Sequence, residues 1–313
     1  MAFRGIYKRQ VQLLVWSLPY VAKEDCFALK GGTAINMFIR NLPRLSVDID
    51  LTYLPDADRK HALAEIDAAL RRISTGIKQA DSTIHITESA PRTQSTINKL
   101  VLRTKDRVQI KIEVTPVMRG CVYKPEVRAI VEKVEDEFGF AEINVLSFAD
   151  LYAGKIIAAL DRQHPRDLFD VHQLINGEGI KNELRNAIIV YLISHDHSPH
   201  SLISPQLKDI SHEYETNFVG MAEDDLALEV LLEARESLVK DVLENMPDAH
   251  KKFLISFYSR EPEWELLGLD GIKNLPAIRW REHNLDKAGK ETRGELVRKL
   301  EKVFVNKADH DNF

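Results

Sequence analysis

Residues 27–53, FALKGGTAINMFIRNLPRLSVDIDLTY, constrain this chain more than any other stretch. The segment opens on a short apolar run and a Gly31-Gly32-Thr33 turn, then carries Ala34, Met37 and Phe38 at helical spacing. Past Pro43 it enters an alternating run, Leu45-Ser46-Val47-Asp48-Ile49-Asp50-Leu51, that reads as a strand. Successive side chains of a strand point to opposite faces, so Val47, Ile49 and Leu51 enter a core while Asp48 and Asp50 share the other face. Two carboxylates held side by side repel, and ionising both is costly unless a cation joins them. A divalent metal is the natural remedy. Glycines at 31 and 32 let the backbone approach a ligand and expose N–H groups at the start of a helix, where phosphate binds favourably. Thr33 adds a hydroxyl. Alone, such a turn is also an ordinary strand-to-helix connection capped by Thr33; the aspartate pair downstream favours the ligand-binding reading.

Around this stretch the first half of the chain alternates helix and strand. Residues 7–21 repeat apolar positions at Val11, Leu14, Leu18 and Val21, and residues 58–73 do so at Leu63, Ile66, Leu70 and Ile73, which predicts two helices. Strands are predicted over 84–87, 96–104 and 108–114. In the last, VQIKIEV, Gln109, Lys111 and Glu113 share the polar face. A strand beside the aspartates would offer Glu113 as a third metal-ligating carboxylate, along with Asp48 and Asp50; on an edge strand it is a solvated glutamate.

From Ser147 the pattern turns to long helices. Residues 151–160 form one, and residues 162–174 a second, which follows His164-Pro165 and carries Arg166, Asp167, Asp170 and His172. Lys155 on the first of these, judged by its position alone, is a solvated charge. Further helices are predicted over 181–193, 223–243, 247–258 and 291–305. The 313 residues suit two domains: an α/β domain over 1–146 with a mixed sheet, and a mostly helical domain over 147–313.

Composition narrows the setting. The N-terminus lacks a signal-peptide pattern, and no apolar run approaches the roughly 20 residues of a membrane span. Two cysteines, Cys26 and Cys121, are too few for a disulfide framework and suit a reducing cytosol. The net charge of -5 lacks the basic excess common in nucleic-acid binders, so a polyanion would have to meet a local patch. The basic tail with Arg293, Arg298, Lys299 and Lys302, preceded by Trp264, Trp280 and Arg281, is the place to look. His195, Asp196, His197 and His200 read as a polar loop, without the helical spacing of a metal site.

A glycine turn, a helix and a D-x-D strand form a nucleotidyl-transfer constellation. The sequence resembles the AbiEii/AbiGii toxin family, which includes the MenT toxins, within the polymerase-β-like nucleotidyltransferase superfamily. The matching blocks are KGGTAINMFIRNLPRLSVDIDLTYL, IKIEV, LYAGKIIAALDR and HPRDLFDV, in that order. The resemblance implies a polymerase-β-like nucleotidyltransferase domain and an active site shared with the helical part. It implies Asp48 and Asp50 as metal-binding aspartates for Mg2+ or Mn2+, Lys155 as the nucleotide-contacting lysine, and Asp167 or else Asp170 as the fourth-motif aspartate. Gly31, Gly32, Thr33 and Ser46 then bind the nucleoside triphosphate, and either Lys111 or Glu113 serves the second motif.

The resemblance also implies a cytoplasmic toxin of a toxin–antitoxin or phage-defence pair, with a cognate antitoxin protein as partner and a nucleoside triphosphate as substrate. The acceptor it suggests is the 3′ end of tRNA. Two other readings stand beside this one: nucleotidylation of a protein or small molecule, which the net acidity favours, and a non-catalytic nucleotide-binding module.

Overall fold

The computed structural model describes residues 5–91, 95–224 and 226–305. The chain forms two compact units, Met1–Leu151 with Val219–Asp225, and Tyr152–Phe218 with Leu226–Phe313.

The first unit is built on a seven-stranded mixed sheet. Helix α1 (Gly5–Val21) buries Val11, Leu14, Leu18 and Val21, the stripe that predicts it. Strand β1 (Phe27–Lys30) leads into a helical turn, α2 (Gly31–Ala34), which continues as a π-helical turn over Ile35–Ile39. Such wide turns inside a helix recur at functional sites. Strand β2 (Asp48–Tyr53) follows, then α3 (Arg59–Ala80), whose N-terminal amides at Lys60 and His61 donate to the Asp58 carboxylate. Helix α3 outruns its predicted end because Ile73 and Ile77 continue the buried stripe. Strands β3 (His85–Ser89), β4 (Lys99–Arg103) and β5 (Gln109–Val114) come next. After them come β6 (Glu126–Ala129), α4 (Glu132–Phe138) and β7 (Glu142–Val145), none of which the apolar pattern announces.

The sheet order is β3-β4-β5-β2-β1-β7-β6. Strand β2 runs antiparallel to β1 and parallel to β5, which puts it at the centre. Its burial alternates with that of β5: Ile49, Leu51, Ile110, Ile112 and Val114 are buried, while Asp48, Asp50, Lys111 and Glu113 remain partly accessible.

The predicted strand over 45–51 is shifted, because residues 43–45 pair elsewhere. The Leu45 amide donates to the Met221 carbonyl at 2.8 Å, the Glu223 amide to Pro43 at 2.9 Å, and Arg44 bridges Ala222 in antiparallel fashion. This pairing joins Val219–Asp225 to the first unit.

The second unit is helical. It takes in most of α5 (Phe148–Arg162), with the division at Leu151/Tyr152 inside that helix where the sequence pattern changes at 146/147. Next come α6 (Pro165–Asn176), α7 (Asn182–Ser194), and the short α8 (Pro199–Ile203) and α9 (Ser211–Asn217). It ends with α10 (Leu228–Glu244), α11 (Asp248–Ser259), α12 (Pro276–Lys287) and α13 (Gly289–Val305). Helix α6 packs on α10, and α11 on α13, with Phe253, Phe257 and Trp264 as an aromatic cluster. Among the described residues, no helix is long and apolar enough to cross a membrane.

Candidate active site

The site residues fall into two clusters, one within each unit. In the first unit, strand register determines which charges meet. Lys30 on β1 lies opposite Asp50 on β2, Asp50 opposite Glu113 on β5, and Glu113 opposite Lys99 on β4. Residues in register point to the same face, so these four form one row across the sheet. One step along, Asp48 lies opposite Lys111.

Within the first row, Lys99 pairs with Glu113 at 2.9 Å. Lys30 donates to Thr115 Oγ1 at 2.8 Å. Burial lowers the Lys30 pKa, against the opposing pull of Asp50 and Glu113. In the second row, among the described residues neither the Asp48 carboxylate nor the Lys111 ammonium has a hydrogen-bond or ion-pair partner.

Side chains of residues 44–50 approach the glycine turn closely. Gly31 has a φ of +73°, and a Cβ there would lie 2.8 Å from Asp50 Oδ2. A Cβ on Gly32 would lie 2.8 Å from Arg44 Nη2 and 3.0 Å from Ser46 Oγ. The two glycines thus give access to different groups: Gly31 to the Asp50 carboxylate, Gly32 to Arg44 and Ser46. Arg44 is buried and donates to the Leu45 carbonyl at 3.0 Å. Thr33 is buried as well; its hydroxyl donates to the Asp48 carbonyl at 2.5 Å and sits 3.0 Å from Ser46 Oγ, which anchors the turn to the start of β2.

Gly31→Ala is therefore expected to cost roughly 1–2 kcal/mol from the left-handed backbone alone. It should also displace Asp50. Urea unfolding measures the first effect, and a loss of metal-induced stabilisation the second.

In the second unit, Lys155 on α5 is only 6% exposed and lies 2.8 Å from Asp167 and 2.9 Å from Asp170 on α6. The solvated-lysine reading from position alone is thereby corrected: the helix face carrying Lys155 is covered by α6. Asp167 and Asp170, three residues apart, share one helix face and both clamp the ammonium. Arg162 adds a bidentate pair to Asp167 (Nε to Oδ2 2.5 Å, Nη2 to Oδ1 2.9 Å), with its own side chain 59% exposed. Burial pushes the Asp167 carboxyl up, but Lys155 and Arg162 outweigh it and hold the group well below the usual carboxylate range.

Lys30, Lys99, Arg44 and Arg162 join these clusters without being singled out by the sequence pattern. Two of them carried a usable signal. Arg162 lies seven residues after Lys155 on the same helix face, and Lys99 occupies a polar position of a predicted strand.

The histidine loop is tied to α5. His197 Nδ1 lies 2.6 Å from Asp161, and His195 lies at 3.8 Å from the same carboxylate. Among the described residues, no group of three or more His, Cys, Asp or Glu is arranged to hold a metal. Burial pushes the Cys26 and Cys121 thiols up to about 12, which keeps both protonated and unreactive.

The family model described as nucleotidyl transferase AbiEii toxin, type IV toxin–antitoxin system, matches residues 12–280. The chain belongs to the AbiEii family. It is a nucleotidyltransferase toxin, and as a member of a type IV toxin–antitoxin system it has an antitoxin partner. The fold is similar to that of MenT4, nucleotidyltransferase toxin Rv2826c from Mycobacterium tuberculosis H37Rv. The TM-score is 0.55 at 14% identity, over 96% of this chain and 95% of that one. No curated protein matches in sequence.

Proposed function

We propose that this AbiEii toxin transfers a nucleoside monophosphate from a nucleoside triphosphate to the 3′ end of tRNA, and that Asp48 and Asp50 hold the Mg2+ the reaction needs. The transfer blocks aminoacylation, hence translation, in the cytoplasm, where the pair serves phage defence. The observation that carries the metal assignment is the Asp48 carboxylate, without a partner among the described residues, on one sheet face with Asp50. Such a donor set fits Mg2+, which is commonly held by one or two carboxylates, with waters and substrate phosphates completing its octahedron. Mn2+ suits the same oxygens. When bound, the cation polarises the phosphoryl oxygens and offsets charge that builds on the leaving pyrophosphate.

The chain's own residues then divide the work. The Gly31 and Gly32 amides and Ser46 receive the triphosphate, and Thr33 holds the turn in shape from behind. Lys155 contacts the nucleotide and Asp167 holds it in place, roles that rest on the family resemblance and on the buried pair. The exposed basic residues of α13 offer phosphate contacts to a tRNA.

Each of the four α-labelled triphosphates, incubated with the toxin, Mg2+ and total tRNA, should show one that labels RNA. Label in a protein band and none in RNA would select the second reading, which the net charge of -5 favours. No labelled product from any acceptor would leave only nucleotide binding.

A further inference from the structure

The second motif, IKIEV, presents two polar residues on the face shared with the aspartates, Lys111 and Glu113. Their surroundings differ. Glu113 is paired with Lys99 across the β4–β5 ladder at 2.9 Å, and Lys30 lies near it from the far side of Asp50. Its charge is already offset by the protein. A carboxylate in that state gains less from a cation than one left open, because the Lys99 pair must be loosened first.

Lys111 stands in register with Asp48 and, among the described residues, holds no partner. It is half-buried, so its ammonium is displayed on the sheet face with its position set by the strand. An unpaired cation next to an unpaired carboxylate, with neither folded onto the other, is an arrangement that a ligand carrying both a cation and an anion would satisfy. A metal-bound polyphosphate is such a ligand: Asp48 takes the metal side and Lys111 the phosphate oxygens.

We propose that Lys111 is the phosphate-binding residue of the second motif, and that Glu113 is a positioning residue that fixes Lys99 and the strand rather than a metal ligand. This rests on the assignment of Asp48 and Asp50 to the cation. It makes the protein supply, from an ammonium on β5, positive charge that a metal bridging to a third carboxylate would otherwise bring.

The test uses inorganic tripolyphosphate with Mg2+, titrated calorimetrically into the full chain, beside the label-transfer assay. Lys111→Ala is expected to weaken tripolyphosphate binding about tenfold or more, and Lys111→Arg to restore most of it, because a charge-assisted phosphate contact is lost and then replaced. Glu113→Gln is expected to keep binding within about twofold of the wild type, or to tighten it as Lys99 is released. Melting curves of all three variants establish that they fold.

Binding lost in Glu113→Gln and kept in Lys111→Ala overturns the proposal, as does equal affinity in all variants. If Asp48→Ala abolishes binding while Lys111→Ala does not, the metal assignment stands and the role of Lys111 falls. If Lys111→Ala weakens binding but the wild type transfers no label, the phosphate contact stands and the transfer reading falls.

Discussion

Asp48→Asn is expected to lower nucleotide transfer by about two to three orders of magnitude while leaving the protein as stable as the wild type. The activity loss follows from the charge that the carboxylate contributes at the reacting phosphate, where preorganised electrostatics dominate phosphoryl transfer. The unchanged stability follows from the structure: among the described residues Asp48 makes no hydrogen bond or ion pair that the substitution would break. Removing one of two neighbouring carboxylates also relieves repulsion with Asp50.

Asp50→Asn should behave differently. Asp50 shares its row with Lys30 and packs against Gly31, so activity and stability fall together. Label transfer and thermal melts with and without Mg2+ separate the two cases. The wild-type midpoint should rise with Mg2+ by mass action, and that rise should vanish in Asp48→Asn. A rise of wild-type size in the variant would remove Asp48 from the metal site.

Lys155→Met is expected to destabilise the protein by about 3–5 kcal/mol, the usual cost of stripping one partner from a buried charge pair. Asp167 and Asp170 would be left together, both 1% exposed, with Arg162 as the cation that is seen to pair with Asp167. Because Arg162 is largely in solvent, Arg162→Ala should cost far less, about 1 kcal/mol or under.

The pH dependence gives the two proteins opposite signs. In the wild type the folded Asp167 pKa lies below its unfolded value of about 3.9. Its stabilisation is therefore complete above that pH and is lost as the pH falls below it toward the depressed folded value. In Lys155→Met two neighbouring buried carboxylates raise at least one folded pKa, so mild acidification should stabilise the variant where it leaves the wild type unchanged. Urea midpoints between about pH 4 and pH 7 measure this. Parallel curves for the two proteins would show that the pair contributes little.

The expectation for Lys155 illustrates what a sequence withholds. Its spacing on α5 is that of any helical lysine, and burial comes only when α6 folds back against it to bring Asp167 and Asp170 within 3 Å. The turn at Gly31-Gly32 is a similar case. Glycine advertises close approach, yet the groups approaching, Asp50, Arg44 and Ser46, come from residues 44–50. The strands β6 and β7 left no readable period, because β6 is a mostly exposed edge and β7 is only four residues long.

By itself the sequence determined the alternation that sets Asp48 and Asp50 on one face, the order of the four motif blocks and the change from mixed to helical character near Ser147. Each of these depends on backbone geometry within a few residues, or on the sequence order of the motifs. Only the tertiary structure decided which cation each carboxylate meets. Lys99 holds Glu113, and among the described residues Asp48 and Lys111 remain open side by side, because β2 lies between β1 and β5 in one register. Register is set by burying the apolar faces of strands about sixty residues apart, and a slip of one residue would turn every one of these charges into the core.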